Sequence, residues 1–261
     1  MKPTFLGQNN PIVTTMIQSD SVESAINTIR NAVFEGTDAF AFQVEKFPKE
    51  LRCDENYKTI FKYMGNRPIY VTNYRDQLNT GTDDDTLANE LISLSKYGAT
   101  LFDIMGDLFS PTALQLTYNQ EAIDKQKELI NKIHSFGGEV LISSHTSCFL
   151  PAKKVIEMAL EQQKRGADVV KIVTKASNVE EEMENLRITT LLKKELDVPF
   201  LFLSVGEHCK MHRMIGPMLG CAMYLCAQSH DNLSTKSQPV LRAVKNVLAN
   251  FDYIPDKTFE N

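Results

Sequence analysis

An α/β fold, a single-domain (β/α)8 TIM barrel over residues 1–261, is predicted by three observations. Short β-rich apolar runs alternate with amphipathic stretches, glycines close most of those stretches, and eight strand–helix units follow one another with no linker or shift in composition. A doubly wound open sheet usually carries a glycine-rich turn after its first strand, and Gln18-Ser19-Asp20-Ser21 contains no glycine.

The first run is Pro11–Ile17, with Ser19 and Asp20 as candidate N-caps for a helix over Ser21–Phe34. Val22, Ala25, Ile26, Ile29 and Val33 give that helix one apolar face, and Gly36 stops it. Strands at Asp38–Val44 and Ile69–Thr72 flank a helix around Glu50–Met64, and a polar loop, Asn73–Asp85, follows. Helix Thr86–Tyr97 ends at Gly98 before strand Thr100–Ile104, and helix Asn119–Ser135 ends at Gly137-Gly138 before strand Glu139–Ser143. The same punctuation gives helix Ala152–Arg165, Gly166 and strand Asp168–Val173. Helix Val179–Leu196, strand Pro199–Ser204, short helix Lys210–Leu219, strand Cys221–Cys226 and closing helix Ser237–Phe251 complete the series.

Composition narrows the function classes. Lys plus Arg total 28 against 33 Asp plus Glu, a net charge of −5, which provides no broad cationic face for nucleic acid. The longest apolar runs, such as Cys221–Ala227, are strand-sized, far from the ~20 residues that cross a bilayer. Met1–Gln8 lacks a charged-then-apolar signal pattern, so the expected location is cytoplasmic. The five cysteines are scattered and form no CxxC pair, which argues against a disulfide framework or zinc knuckle.

In a barrel, chemistry sits at the carboxyl ends of the strands. Two neighbouring runs place titratable groups there: Val140-Leu-Ile-Ser-Ser-His145 and Asp168-Val-Val-Lys171-Ile-Val. A lysine inside a β-branched run is covered on either face of its strand, and desolvation disfavours its ammonium. Lys171 is therefore a candidate amine nucleophile towards ketones, against the alternative of a lysine that snorkels or pairs with a carboxylate. Imine chemistry needs protons moved beside that nitrogen, which makes His145 the matching acid and base.

The segments Ser143-Ser144-His145-Thr-Ser-Cys-Phe-Leu-Pro151 and Gly166-Ala-Asp-Val-Val-Lys171-Ile-Val resemble the histidine loop and Schiff-base lysine strand of type I 3-dehydroquinate dehydratases. Phe202-Leu-Ser204-Val-Gly206, then His212-Arg213-Met-Ile-Gly216 and Gly220, is similar to the family's arginine segment, and Gln238 matches its substrate-binding glutamine. The resemblance implies a hydro-lyase in which Lys171 forms the imine, His145 is general acid and base, and Arg213 clamps the substrate carboxylate with its planar fork. It implies a small keto-acid substrate and no metal or organic cofactor, and a homodimer is the expected assembly.

Substrate contacts depart from the family's pattern. Where a Glu-x-Arg-x-Asp motif is expected on the second strand, this chain has Ala41-Phe-Gln43-Val-Glu45. After the third strand, Thr72-Asn-Tyr-Arg75 has one residue more than Thr-x-Arg, and Gln77-Leu-Asn-Thr-Gly81 replaces an acidic glycine turn. Gln43 and Arg75 are the candidate substrate contacts in these segments. Asp103 and Asp76 are candidates to orient His145, and Met105 stands where the family commonly has glutamate. These departures suggest dehydration of 3-dehydroquinate or of a related β-hydroxy keto acid. A class I aldolase acting through Lys171, or a barrel retained only to bind a ligand, are the alternatives. His208-Cys209-x-x-His212 has helical spacing for a metal but lacks a partner at a known spacing, and Asp83-Asp84-Asp85 and Glu180-Glu181-Glu182 are explained by helix N-termini.

Overall fold

The computed structural model describes residues 3–250, and these form a (β/α)8 barrel in which each strand feeds a helix on the outside. The strands are β1 (Ile12–Ile17), β2 (Ala39–Gln43), β3 (Ile69–Thr72), β4 (Leu101–Met105), β5 (Glu139–His145), β6 (Val169–Lys175), β7 (Phe200–Val205) and β8 (Met223–Cys226). The main helices are α1 (Val22–Phe34), α2 (Asp54–Met64), α3 (Asp84–Ser93), α4 (Gln120–Ser135), α5 (Ala152–Lys164), α6 (Val179–Glu195), α7 (Lys210–Ile215) and α8 (Leu241–Leu248). All ladders are parallel, in the order β7-β6-β5-β4-β3-β2-β1-β8. Ala222 N, just before β8, donates to Phe200 O of β7 at 2.8 Å and brings the two ends of the sheet together. Among the described residues no helix is long and apolar enough to cross a membrane.

Local chemistry explains where element ends differ from the sequence expectation. Ser21, rather than Ser19 or Asp20, caps α1 by accepting from Ser24 N, and Asp83 starts α3 two residues early by accepting from Thr86 N. Helix α2 begins at Asp54 after a separate 3-10 turn at Lys49–Leu51. Pro217 lies in a tighter 3-10 turn, Gly216–Leu219, so α7 ends at Ile215. Pro239 precedes the last helix, which runs from Leu241 to Leu248, and Phe251 of the expected helix lies outside the described residues. Strands β5 and β6 each run two residues further than expected, and His145 is the last residue of its strand.

Strand alternation sends Val140, Ile142, Val170 and Ile172 towards the helices, all at most 1% exposed, and Ser143, His145, Lys171 and Val173 into the barrel. Between the strands and helices lies a buried polar clamp. The Gln162 amide donates to Lys171 O (3.2 Å) and to Ser144 Oγ (3.0 Å), and its carbonyl accepts from Lys171 N (3.1 Å). Both backbone groups of Lys171 are thus held by one side chain from α5.

Beside this region Gly206 has φ +101°, and a Cβ placed there would come within 2.6 Å of Ala176 O. Left-handed backbone and a carbonyl contact act together at that position. Gly206→Ala is expected to lower unfolding free energy by about 1–3 kcal/mol, measured by urea denaturation. An unchanged midpoint would show that the β7–α7 turn relaxes freely.

Candidate active site

A cavity of about 550 Å³ opens at the carboxyl ends of the strands and is lined by all six of Gln43, Arg75, His145, Lys171, Arg213 and Gln238. The structure therefore brings together the six residues expected to act on or bind the substrate, from β2, β5 and β6 and from the segments that follow β3, β7 and β8.

Lys171 lies on the cavity floor and is 4% exposed. Its Nζ lies 2.7 Å from Tyr74 Oη, 2.9 Å from Tyr70 Oη and 3.2 Å from Asp103 Oδ2. Burial pushes its pKa down, and the neighbouring Asp103 carboxylate opposes that shift. Asp103 Oδ2 also accepts from both tyrosine hydroxyls, while Oδ1 accepts from Ser143 Oγ at 2.5 Å. Asp103 is accordingly the partner of the lysine and not the group that orients the histidine. Asp76 reaches the cavity lining, yet among the described residues no carboxylate hydrogen-bonds the His145 ring.

His145 is held instead by its backbone, whose N–H donates to Gln115 Oε1 at 2.9 Å, and by the ring of Tyr74, edge-on at 4.8 Å between centroids. Desolvation, then the positive charges of Lys171 and Arg213, hold its pKa well below the usual histidine range. At neutral pH the imidazole is uncharged and able to accept a proton.

Arg213 on α7 is 7% exposed and points its fork at the cavity while Nε donates to Ser204 O at 2.7 Å. Burial lowers its pKa to about 10, and among the described residues no carboxylate pairs with it. A buried cation with free donors is costly unless an anion completes it. Gln238 also lines the cavity, and its buried Oε1 has no partner in the described protein.

Arg75 lines the rim, but its guanidinium is largely committed. Nε and Nη2 grip Asp84 at 2.6 and 2.8 Å, and Nη1 and Nη2 reach Asp107 Oδ1 and O, both at 2.7 Å. Its main work here is to tie the loop after β3 to α3 and to the loop after β4. Gln43 is similarly networked, accepting from Gln18 Nε2 and donating to Glu45 Oε1 at 2.7 Å.

Sequence reasoning missed Tyr74 and Glu45 as cavity groups and the enclosed Tyr70 as a partner of the lysine. Tyr70 sits opposite Ala41 in the β2–β3 ladder, so a large and a small side chain share that layer of the barrel. His212 of the weighed metal pattern is buried between Thr189 Oγ1 (3.0 Å) and Ser204 N (3.3 Å), and no metal-holding cluster occurs among the described residues.

Glu45 is 1% exposed and accepts from Gln43 Nε2 and from Thr72 Oγ1. Desolvation raises its pKa from 4.5 to about 7, although the hydrogen bonds oppose the rise. Below pH 4.5 the folded and unfolded chains are both protonated at this group, so stability is unaffected. Between pH 4.5 and 7 the unfolded chain ionises first, and stability falls by on the order of 3 kcal/mol. Glu45→Gln removes that ionisation. The variant is expected to melt above the parent at pH 8 and to lose this advantage at pH 4.5, followed by circular dichroism. The same offset at both pH values would contradict a raised Glu45.

A family model described as type I 3-dehydroquinase matches residues 13–254. A curated 3-dehydroquinate dehydratase of Alkaliphilus oremlandii is 28% identical over 127 residues, 48% of this chain and 49% of that protein, and one of Geobacillus thermodenitrificans is 26% identical over 115 residues, 44% of each. The chain thus spans about half the length of the curated relatives it matches. In structure it is similar to type I 3-dehydroquinate dehydratase from Clostridium difficile, determined with covalently modified comenic acid (TM-score 0.78, 19% identity, 96% of this chain and 98% of that chain). The 3-dehydroquinate dehydratase of Geobacillus kaustophilus superposes with a TM-score of 0.76 at 15% identity, covering 94% of this chain and 92% of the other. These structural likenesses, at such low identity, speak for the barrel. The family match extends over the strands and helices that build the cavity, and the chain belongs to the type I 3-dehydroquinase family.

Proposed function

We propose that the protein is a Schiff-base hydro-lyase that removes water from 3-dehydroquinate or a related β-hydroxy keto acid. The observation that carries this reading is the convergence of a buried amine, a neutral imidazole and an unpaired buried guanidinium on one cavity. Arg213 takes the substrate carboxylate, replacing its lost hydration with two parallel hydrogen bonds. The neutral Lys171 amine attacks the ketone carbon, and loss of the carbonyl oxygen as water leaves a protonated imine. That imine withdraws electrons from the adjacent C–H, so His145 can take the proton as base. The electron pair then moves towards the β-carbon and expels its hydroxyl, which leaves as water with the proton that His145 returns. Hydrolysis of the imine frees the unsaturated ketone and restores the lysine. The substrate is a small molecule, and the imine itself supplies the electron sink, so the sequence of steps uses no further cofactor.

Borohydride added to enzyme and 3-dehydroquinate is expected to fix a covalent adduct on Lys171, located by peptide mass. Adduct on another lysine, or none, would overturn the imine reading. His145→Ala should still form the trapped adduct but slow turnover by ~10² or more; normal turnover would remove His145 from the proton transfers.

Arg213→Lys keeps the charge and loses the fork. It should lower kcat/KM on the acid by at least ~10-fold while changing kcat/KM on the corresponding neutral amide little. An equal loss on both substrates would assign Arg213 to the fold rather than to the carboxylate.

A further inference from the structure

We infer that Tyr74 is a catalytic residue that carries a proton between Lys171 Nζ and Asp103, with Asp103 storing that proton while the imine forms. The inference rests on the imine reading above and deepens it by separating the groups that serve the nitrogen from the group that serves the carbons.

Lys171 reaches three acceptors, Tyr70 Oη, Tyr74 Oη and Asp103 Oδ2, one for each proton of an ammonium. In that state the nitrogen has no lone pair for a ketone, and a proton must leave before attack. His145 is poorly placed for this task, since no hydrogen bond joins its ring to Nζ among the described residues. The Tyr74 hydroxyl is well placed. It lies 2.7 Å from Nζ and donates its own proton to Asp103 Oδ2. Moving the ammonium proton onto Tyr74 Oη while the tyrosine proton passes to Asp103 converts ammonium and carboxylate into amine and carboxylic acid. No free tyrosinate forms, and in a desolvated site the neutral pair competes with the ion pair.

The remaining steps balance. The amine forms the C–N bond, the carbonyl π electrons move to oxygen, and one nitrogen proton transfers to that oxygen to give the carbinolamine. Asp103 then returns its stored proton through Tyr74 to the carbinolamine hydroxyl, which leaves as water as C=N⁺ forms. The net change is one ammonium and one ketone giving one protonated imine and one water.

Tyr74 is preferred over Tyr70 because it faces the cavity, whereas Tyr70 is fully enclosed in the barrel. Its backbone is fixed as well: Asn79 Nδ2 donates to Tyr74 O at 2.7 Å, and Tyr74 N approaches Glu45 Oε2 at 3.5 Å. The edge-on contact with His145, 4.8 Å between centroids, sets the Tyr74 ring and the imidazole side by side in the cavity.

The test is rapid-quench borohydride trapping with 3-dehydroquinate, following adduct mass on Lys171 against time for the parent, Tyr74→Phe and Tyr70→Phe. Tyr74→Phe keeps the ring against His145 and is expected to slow adduct appearance by ~10²-fold, with small carboxylic acids in the buffer restoring part of the rate. Tyr70→Phe should slow it less. Should Tyr74→Phe fail to fold, 3,5-difluorotyrosine at position 74 keeps size and hydroxyl, and the pH profile of adduct formation should move to lower pH. Parent-like adduct rates in Tyr74→Phe, or an unmoved profile with difluorotyrosine, would overturn the relay and leave the Lys171 imine standing. Absence of any Lys171 adduct in the parent would overturn the imine reading and the relay together.

Discussion

The ion pair between Lys171 and Asp103 on the barrel floor is the constraint from which the rest of the site follows. Both side chains are almost fully buried, and taking two charges out of water costs several kcal/mol per ion unless other groups hydrate them. Tyr70, Tyr74 and Ser143 supply that hydration around the carboxylate, and the two tyrosines also accept from the lysine. The pair is therefore stable enough to fold and sparsely enough solvated to give up a proton. Gln162 completes the arrangement from outside the barrel by fixing the lysine backbone, so the ammonium stem leaves the strand in one direction.

The second constraint is the sign of the cavity. Lys171 and Asp103 form one ion pair, Arg75 is held by two carboxylates, Asp84 and Asp107, and Glu45 is neutral below about pH 7. Arg213 is left as a buried positive charge with its fork free. Its charge depresses the protonation of His145 and would welcome one carboxylate. A dianionic ligand would have to find its second cation near the half-buried Lys46, whose ammonium is already engaged by Leu233 O and Thr235 Oγ1.

The barrel was legible from the sequence because its signals are local: strand-length apolar runs, helix caps and glycines at helix ends. Lys171 and His145 were legible for a related reason, since a titratable group at the end of an apolar run is conspicuous within a few residues. Their surroundings were not. Tyr70 and Lys171 are 101 residues apart, and Tyr74 and Lys171 are 97 apart. Only the closure of the sheet brings strands β3, β4 and β6 to one point, and neither propensity nor periodicity encodes that meeting. A buried tyrosine also looks like any core aromatic until its hydroxyl finds a partner. Asp103 was visible as a candidate, but its partners are not its register mates: Asp103 pairs with Leu141 and Ser143 with Lys171, and the carboxylate reaches across that two-residue offset to Ser143 and the lysine.

The loop after β3 carries both a cavity group and the brace that holds it. Thr72 remains in the strand and donates to Glu45, so the strand end is anchored as the barrel requires. Beyond it Tyr74 meets the lysine, and Arg75 turns to Asp84 and Asp107, where it braces the loop. The Arg75 charge is thus taken up by the cavity wall, and a neutral hydroxyl, Tyr74 Oη, lies nearest Lys171 Nζ. On β2, likewise, the neutral Gln43 bonds Gln18 and Glu45. Neutral donors and acceptors can regroup around ligands of different hydroxyl pattern at modest cost, whereas an unpaired buried charge cannot. Specificity in this barrel is therefore expected to reside in the Arg213 end of the cavity, and tolerance in the β2–β3 end.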